Sequence, residues 1–333
     1  MFRVALTIIP IFLILSGCGT KRQYFEPDQT VGKVKYEKKL PAPIIDVFRH
    51  GATLENGQVI VGDGVLDIVL PKDFVFLGQY DDNYVAASRC GELIILNGSS
   101  EAIYSKKFDK GVAAAALDGT LLALIDRSNG LYLIDTKDEK RLFYSKQEDV
   151  FALDARISNP YFLNTLVIYP TLDGKVIIVD RNSGETIRDV VISSEQFFNN
   201  VIFLNVIGDR LVVATSTRAI SINPNNTAFL DADIKDLIVL EDRVFIFTKD
   251  GRVLLTDTDL NILKERKFEF AVFSGVIHGE FIYMVEKNGF LIATDLDLKS
   301  VNIYKLPSKI KTMVFATDDT LFVGDRYLKL NKN

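Results

Sequence analysis

A turn, a short β-branched strand, an aspartate or asparagine, and a second turn recur down this chain at a spacing few folds can satisfy. The clearest copy runs from Asp173 and Gly174 through Val176, Ile177, Ile178 and Val179 to Asp180, then turns through Asn182 and Gly184 into a new strand at Ile187. Weaker copies are anchored at Gly91, Gly130, Gly251 and Gly289, and degenerate ones at Arg218 and Arg326. Neighbouring anchors stand 33 to 44 residues apart, close to the length of one four-stranded blade in a radially repeated sheet.

Each copy is flanked by further apolar runs. In the second unit Val112 to Leu117, Thr120 to Ile125, Leu131 to Asp135 and Arg141 to Tyr144 read as four short strands joined by tight turns, a meander. Continuous apolar runs in the inner strands and alternation in the outer ones suit a sheet covered by a neighbour on both faces. The pattern predicts an all-β fold, a β-propeller of four-stranded blades. Seven blades are expected. The last unit, ending at Tyr327 to Leu330, lacks a fourth strand, and Val65 to Leu70 is expected to supply it, closing the ring and removing its open edges. Should the hairpin of Gln58 to Val61 and Val65 to Leu70 belong to a further blade, the count becomes eight.

The first residues read as an address. Arg3 precedes the apolar stretch Val4 to Leu15, which is too short to span a bilayer, and Leu15-Ser16-Gly17-Cys18 follows. The tetrapeptide resembles the bacterial lipobox. The expected organisation is a lipoprotein signal peptide over 1–17, a lipid-anchored flexible tether over 18–43 and a propeller over 44–333. Cys18 is the expected lipidation site, its acyl chains being the link to the membrane. By resemblance to lipoproteins sorted under the enterobacterial rule, Gly19 after the cysteine points to the outer membrane, with the domain facing the periplasm.

Formal charge is −5 with acids and bases interspersed, so no basic footprint for nucleic acid exists. With Cys18 acylated, Cys90 stands alone and a disulfide within the monomer is excluded; Cys90 is expected in the core. Two histidines and no nucleophile elbow leave no catalytic triad, and His and Cys are too few for a zinc-type site. No catalytic, cofactor or metal residue is therefore assigned. The aspartates closing the third strands, Asp135, Asp180, Asp257 and Asp295 among them, are expected to fix turns by accepting backbone N–H bonds. A carboxylate pair meeting across a central channel, serving a periplasmic enzyme or a carbohydrate-binding protein, is the alternative from another class.

Two stretches depart from the repeat: Ile157 to Asn164, and Ser193 to Asn200. They contain Tyr161, Phe162, Phe197 and Phe198, aromatics of the kind that anchor interfaces, on loops that carry function in such folds.

The unit Val176 to Ile187 resembles the repeat of pyrroloquinoline-quinone-type propellers, although tryptophan, usual in that repeat, is absent from the chain. One branch of that group, the quinoprotein dehydrogenases, needs a cofactor and calcium ligands for which no residues are found here. The other is similar in lipobox, tether and a lone propeller of this size. It is the BamB-type lipoprotein branch, whose members scaffold the outer-membrane β-barrel assembly machinery and usually have eight blades. The resemblance implies a monomeric, non-enzymatic scaffold without cofactor, binding an envelope protein of that machinery.

Overall fold

The computed structural model describes residues 23–62 and 64–330. The strands sort into eight sheets, six of them antiparallel meanders of four strands in chain order and two completed or extended by strands from the N-terminal segment. Blade 1 comprises Ile44–Phe48, Gly51–Leu54, Gln58–Val61 and Gly64–Val69. Blade 2 begins at Phe74–Tyr80, blade 3 at Val112–Asp118, blade 4 at Tyr161–Leu163, blade 5 at Phe203–Ile207, blade 6 at Ile234–Val239, blade 7 at Phe273–His278 and blade 8 at Val314–Ala316. These first strands are innermost, and first strands of neighbouring blades touch in every pair but blades 4 and 5, where the contact is slighter.

The count of eight corrects the expected seven. Val65 to Leu70 does not complete the last blade. Gly64–Val69 is the outer strand of blade 1, paired with Gln58–Val61 through Ile60 and Val65. The missing outer strand of blade 8 is Lys38–Lys39, antiparallel to Arg326–Lys329 with Lys38 opposite Tyr327. Just before it, Gly32–Lys33 runs parallel to Val301–Lys305 as a fifth strand on blade 7, and Phe25 is buried against Phe268 and Phe290. Residues 24–40, expected as part of a flexible tether, are therefore packed on the last two blades. Their apolar residues are sparse, but backbone pairing to an exposed edge needs no apolar pattern. Cys18 and the signal peptide lie outside the described residues.

The apolar core is divided between the blades rather than gathered at the centre. Eight clusters occur, one at each interface between neighbours. That between blades 2 and 3 joins Leu77, Val85 and Leu93 to Leu122, Leu124 and Ile134. That between blades 8 and 1 joins Phe315 and Phe322 to Ile44, Leu54 and Ile60. The middle strands are buried on both faces, as in Arg243–Thr248, whereas outer strands such as Ile262–Lys267 alternate between half-buried and exposed. This is what sandwiching a sheet between two others requires.

The turn before the third strand has one construction in blades 1, 2, 4, 6 and 7. Gly57, Gly91, Gly174, Gly251 and Gly289 all have φ between +85 and +94°. Each carbonyl accepts the N–H of a residue just after the fourth strand, as Phe108 N to Gly91 O at 2.8 Å and Phe268 N to Gly251 O at 2.8 Å. In blade 3 the left-handed residue is Asn129, φ +67°, which accepts from Gln147 N at 3.0 Å, so the anchor there is one residue before Gly130. The aspartates do fix the following turns. Asp180 Oδ1 accepts from Asn182 N and Ser183 N at 2.9 and 2.8 Å, and Asp295 Oδ1 from Asp297 N and Lys299 N at 3.0 and 2.8 Å.

Candidate functional site

Because each blade is a meander, its connections fall alternately at two ends of the ring. One end collects the loops between blades and the turns between second and third strands; this is called the loop face. The longest connections there are 147–160, entering blade 4, and 192–202, entering blade 5.

These two loops are pinned by buried asparagines. Asn200, fully buried, accepts from Asp154 N at 2.7 Å and donates to Arg156 O at 2.6 Å. Asn199 donates to Asp173 O and Ser193 O, both at 2.8 Å. Phe198 has φ +54°, a costly conformation for a bulky side chain. Hydrogen bonds on both sides hold it, from its own N–H to Ala152 O at 3.0 Å and from the Ser216 hydroxyl to its carbonyl at 2.9 Å. The backbone is thus fixed while the rings face solvent: Phe197 is 50% exposed and Phe198 52%. The joined loop contributes Phe151, 79% exposed, which sequence reasoning did not select. It lies in the apolar run Val150 to Leu153, which reads like another short strand and gives no signal of exposure. Phe270 and Met313, on two other loops of this face, are also exposed.

Tyr161 and Phe162 are elsewhere. They belong to the short first strand of blade 4, whose hairpin turn is at the opposite end, so the four aromatics are not brought together. Phe162 is half-buried beneath Arg181, whose guanidinium lies 5.2 Å from the ring centroid and pairs with Asp118 at 2.5 Å. Tyr161 remains 37% exposed beside them. Cys90 is exposed, not in the core. It follows the strand Asn83–Ser88 and occupies the turn before Gly91, where the apolar run has ended.

The central channel holds a cavity of about 280 Å³ lined by inner-strand residues of blades 1, 6, 7 and 8 and by Ala155 to Ile157. Its charged lining is Arg49, Arg156, Lys235 and Asp236, so no converging carboxylate pair lines it. Arg49 leaves blade 1, crosses to bond Asp236 of blade 6 at 2.8 Å and Ile202 O at 3.2 Å, and lies 4.8 Å from the Phe203 ring centroid. Arg156 grips Asp154 through two nitrogens at 2.8 and 2.5 Å. Among the described residues no group of three or more metal-ligating side chains occurs, and no helix is long and apolar enough to cross a membrane.

The strands and loops together define an eight-bladed β-propeller that displays aromatics on hydrogen-bonded loops. Residues 75–302 match the family described as outer membrane protein assembly factor BamB, and the chain belongs to that family. In fold it is similar to the crystal structure of BamB from Moraxella catarrhalis, with TM-score 0.66 and 16% identity over 86% of this chain and 94% of that one. The C-terminal WD40 domain of Sif2 gives TM-score 0.66 at 12% identity, covering 91% of this chain and 100% of that one. In sequence the chain is 29% identical to plasminogen-binding protein PgbB of Helicobacter pylori strain J99 over 372 aligned positions, spanning 97% of this chain and 68% of that protein.

Proposed function

We propose that this protein is a non-enzymatic scaffold, lipid-anchored through Cys18 to the outer membrane and facing the periplasm, whose loop face binds a component of the barrel-assembly machinery. The observation that carries the reading is the aromatic group Phe151, Phe197 and Phe198. Large rings held on a hydrogen-bonded backbone lose little entropy when a partner covers them. Membership of the assembly-factor family supports the choice of partner. The test is crosslinking of the native protein in cells and mass spectrometry of what co-purifies from outer membranes. Recovery of a barrel-assembly protein crosslinked to 147–160 or 192–202 is expected; recovery of metabolic or peptidoglycan-linked proteins alone overturns the reading.

A second reading is favoured by the Helicobacter pylori relatives, both named plasminogen-binding proteins. It requires the propeller on the cell surface. Protease shaving of intact cells, followed by measurement of plasminogen binding to the purified chain, separates the two: cleavage together with binding supports surface capture, and protection without binding supports the periplasmic scaffold.

A further inference from the structure

Two cationic groups in the central cavity have donors left unspent. Arg156 gives Nε and Nη2 to Asp154, but its Nη1 is buried with no hydrogen-bond partner. Lys235, the second residue of the blade 6 inner strand, forms neither an ion pair nor a hydrogen bond among the described residues, although Asp236 follows it; that carboxylate is engaged by Arg49. Both side chains line the same cavity. Burial, and then the nearby Arg156 charge, push the Lys235 ammonium below its usual range. A half-buried ammonium without a partner beside a buried guanidinium donor that has none destabilises the fold, and folding alone gives no reason to keep the two together.

We propose that the central cavity is a carboxylate-binding site in which a guest carboxylate pairs with Lys235 Nζ. One oxygen accepts from the ammonium, the adjoining Arg156 charge adds attraction, and the Val276, Val314 and Phe315 side of the cavity covers the guest's short apolar stem. Charge sets the class. Arg49, Arg156 and Lys235 face Asp154 and Asp236, an excess of one positive charge, which a single carboxylate neutralises and a doubly charged phosphate overshoots. Size sets the guest. About 280 Å³ lies below the usual range for drug-sized ligands and suits one acidic side chain or a small free carboxylic acid. The site uses none of Phe151, Phe197 or Phe198, so it stands or falls separately from the aromatic contact.

Two probes distinguish the sources: butyrate for a free acid, and a blocked Gly-Glu-Gly peptide for a side chain delivered by a protein. Calorimetric titration at low ionic strength is expected to detect at least one of them at millimolar concentration. Lys235→Met is expected to weaken that binding tenfold or more, and Lys235→Arg to retain most of it. Since Lys235→Met removes a charge that burial penalises, its ligand-free melting temperature should equal or exceed that of the parent, which separates lost binding from lost folding. Butyrate binding alone identifies a free acid as the guest; peptide binding alone identifies an inserted side chain. The proposal is overturned if neither probe binds at tens of millimolar, if only inorganic phosphate binds, or if Lys235→Met binds as the parent does.

Discussion

A methyl group on Gly91 would overlap the carbonyl oxygen of Phe108, and φ of +92° is itself strained for any L side chain. Gly91→Ala is therefore expected to cost about 2–4 kcal/mol, read from urea denaturation. Gly208→Ala, at φ +58° with nothing near the added atom, should cost about 1 kcal/mol. The turn aspartates act through charge. Backbone N–H groups of Ser183 and Asn182 hold the Asp180 carboxyl below its usual range, and the Ser300 hydroxyl, followed by backbone N–H groups, does so for Asp295. A lowered folded-state value favours folding above the unfolded value near 3.8, and that contribution is lost as pH falls through the folded one. Thermal melts should hold steady from neutral pH down to about 5 and decline below about 4, and Asp295→Asn should flatten the decline. The glycines and aspartates were legible because turn chemistry is local. Cys90 and Phe151 were misread or missed because exposure is decided by neighbours distant in the chain.

The two long loops behave as one element, since Asn200 of one bonds Asp154 N and Arg156 O of the other. Asn200→Ala leaves Asp154 N and Arg156 O without their partner and should cost about 2–3 kcal/mol. Amide exchange is expected to speed up across 147–160 and 192–202 and to stay unchanged in the middle strands of the blades. Replacing Phe151, Phe197 and Phe198 together with serine should leave the melting temperature within about 2 °C, because exposed rings contribute little to folding. Loss of the crosslinked complex from that variant is the expected outcome; retention would place the contact elsewhere. The departures at Ile157 to Asn164 and Ser193 to Asn200 were visible as breaks in a repeat. That one break displays aromatics on the loop face while the other threads Asn159 inward, to bond Leu77 O at 2.8 Å and the Tyr80 hydroxyl at 3.0 Å, was not, because strand direction and burial are set by the ring.

At the scale of the ring, the unread blade was the first. Its third strand begins after Gly57, whose φ of +86° matches the other anchors, so the copy Gly57-Gln58-Val59-Ile60-Val61 was present. It ends in Gly62 rather than in the expected Asp or Asn, and its hairpin looked like a spare closing strand. The strand that completes blade 8 escaped notice because Lys38 and Lys39 carry a pairing made by backbone groups alone. A chain beginning at Pro41 loses that strand together with buried Phe25 and Leu40. It is expected to melt several degrees lower and to self-associate through the uncovered edge of Arg326–Lys329, as analytical ultracentrifugation would register.

The packed N-terminal segment also sets a leash. Tyr24 lies with its ring 5.5 Å from the Lys309 ammonium, on a loop of the same face that displays Phe151, Phe197 and Phe198. With Cys18 as the proposed anchor, six residues separate membrane from ring, a reach of about 20 Å even at full extension. The propeller is then moored rather than floating. Under that proposed anchor it would hang from one side of its loop face, and any partner of that face would have to meet it within this short reach of the bilayer.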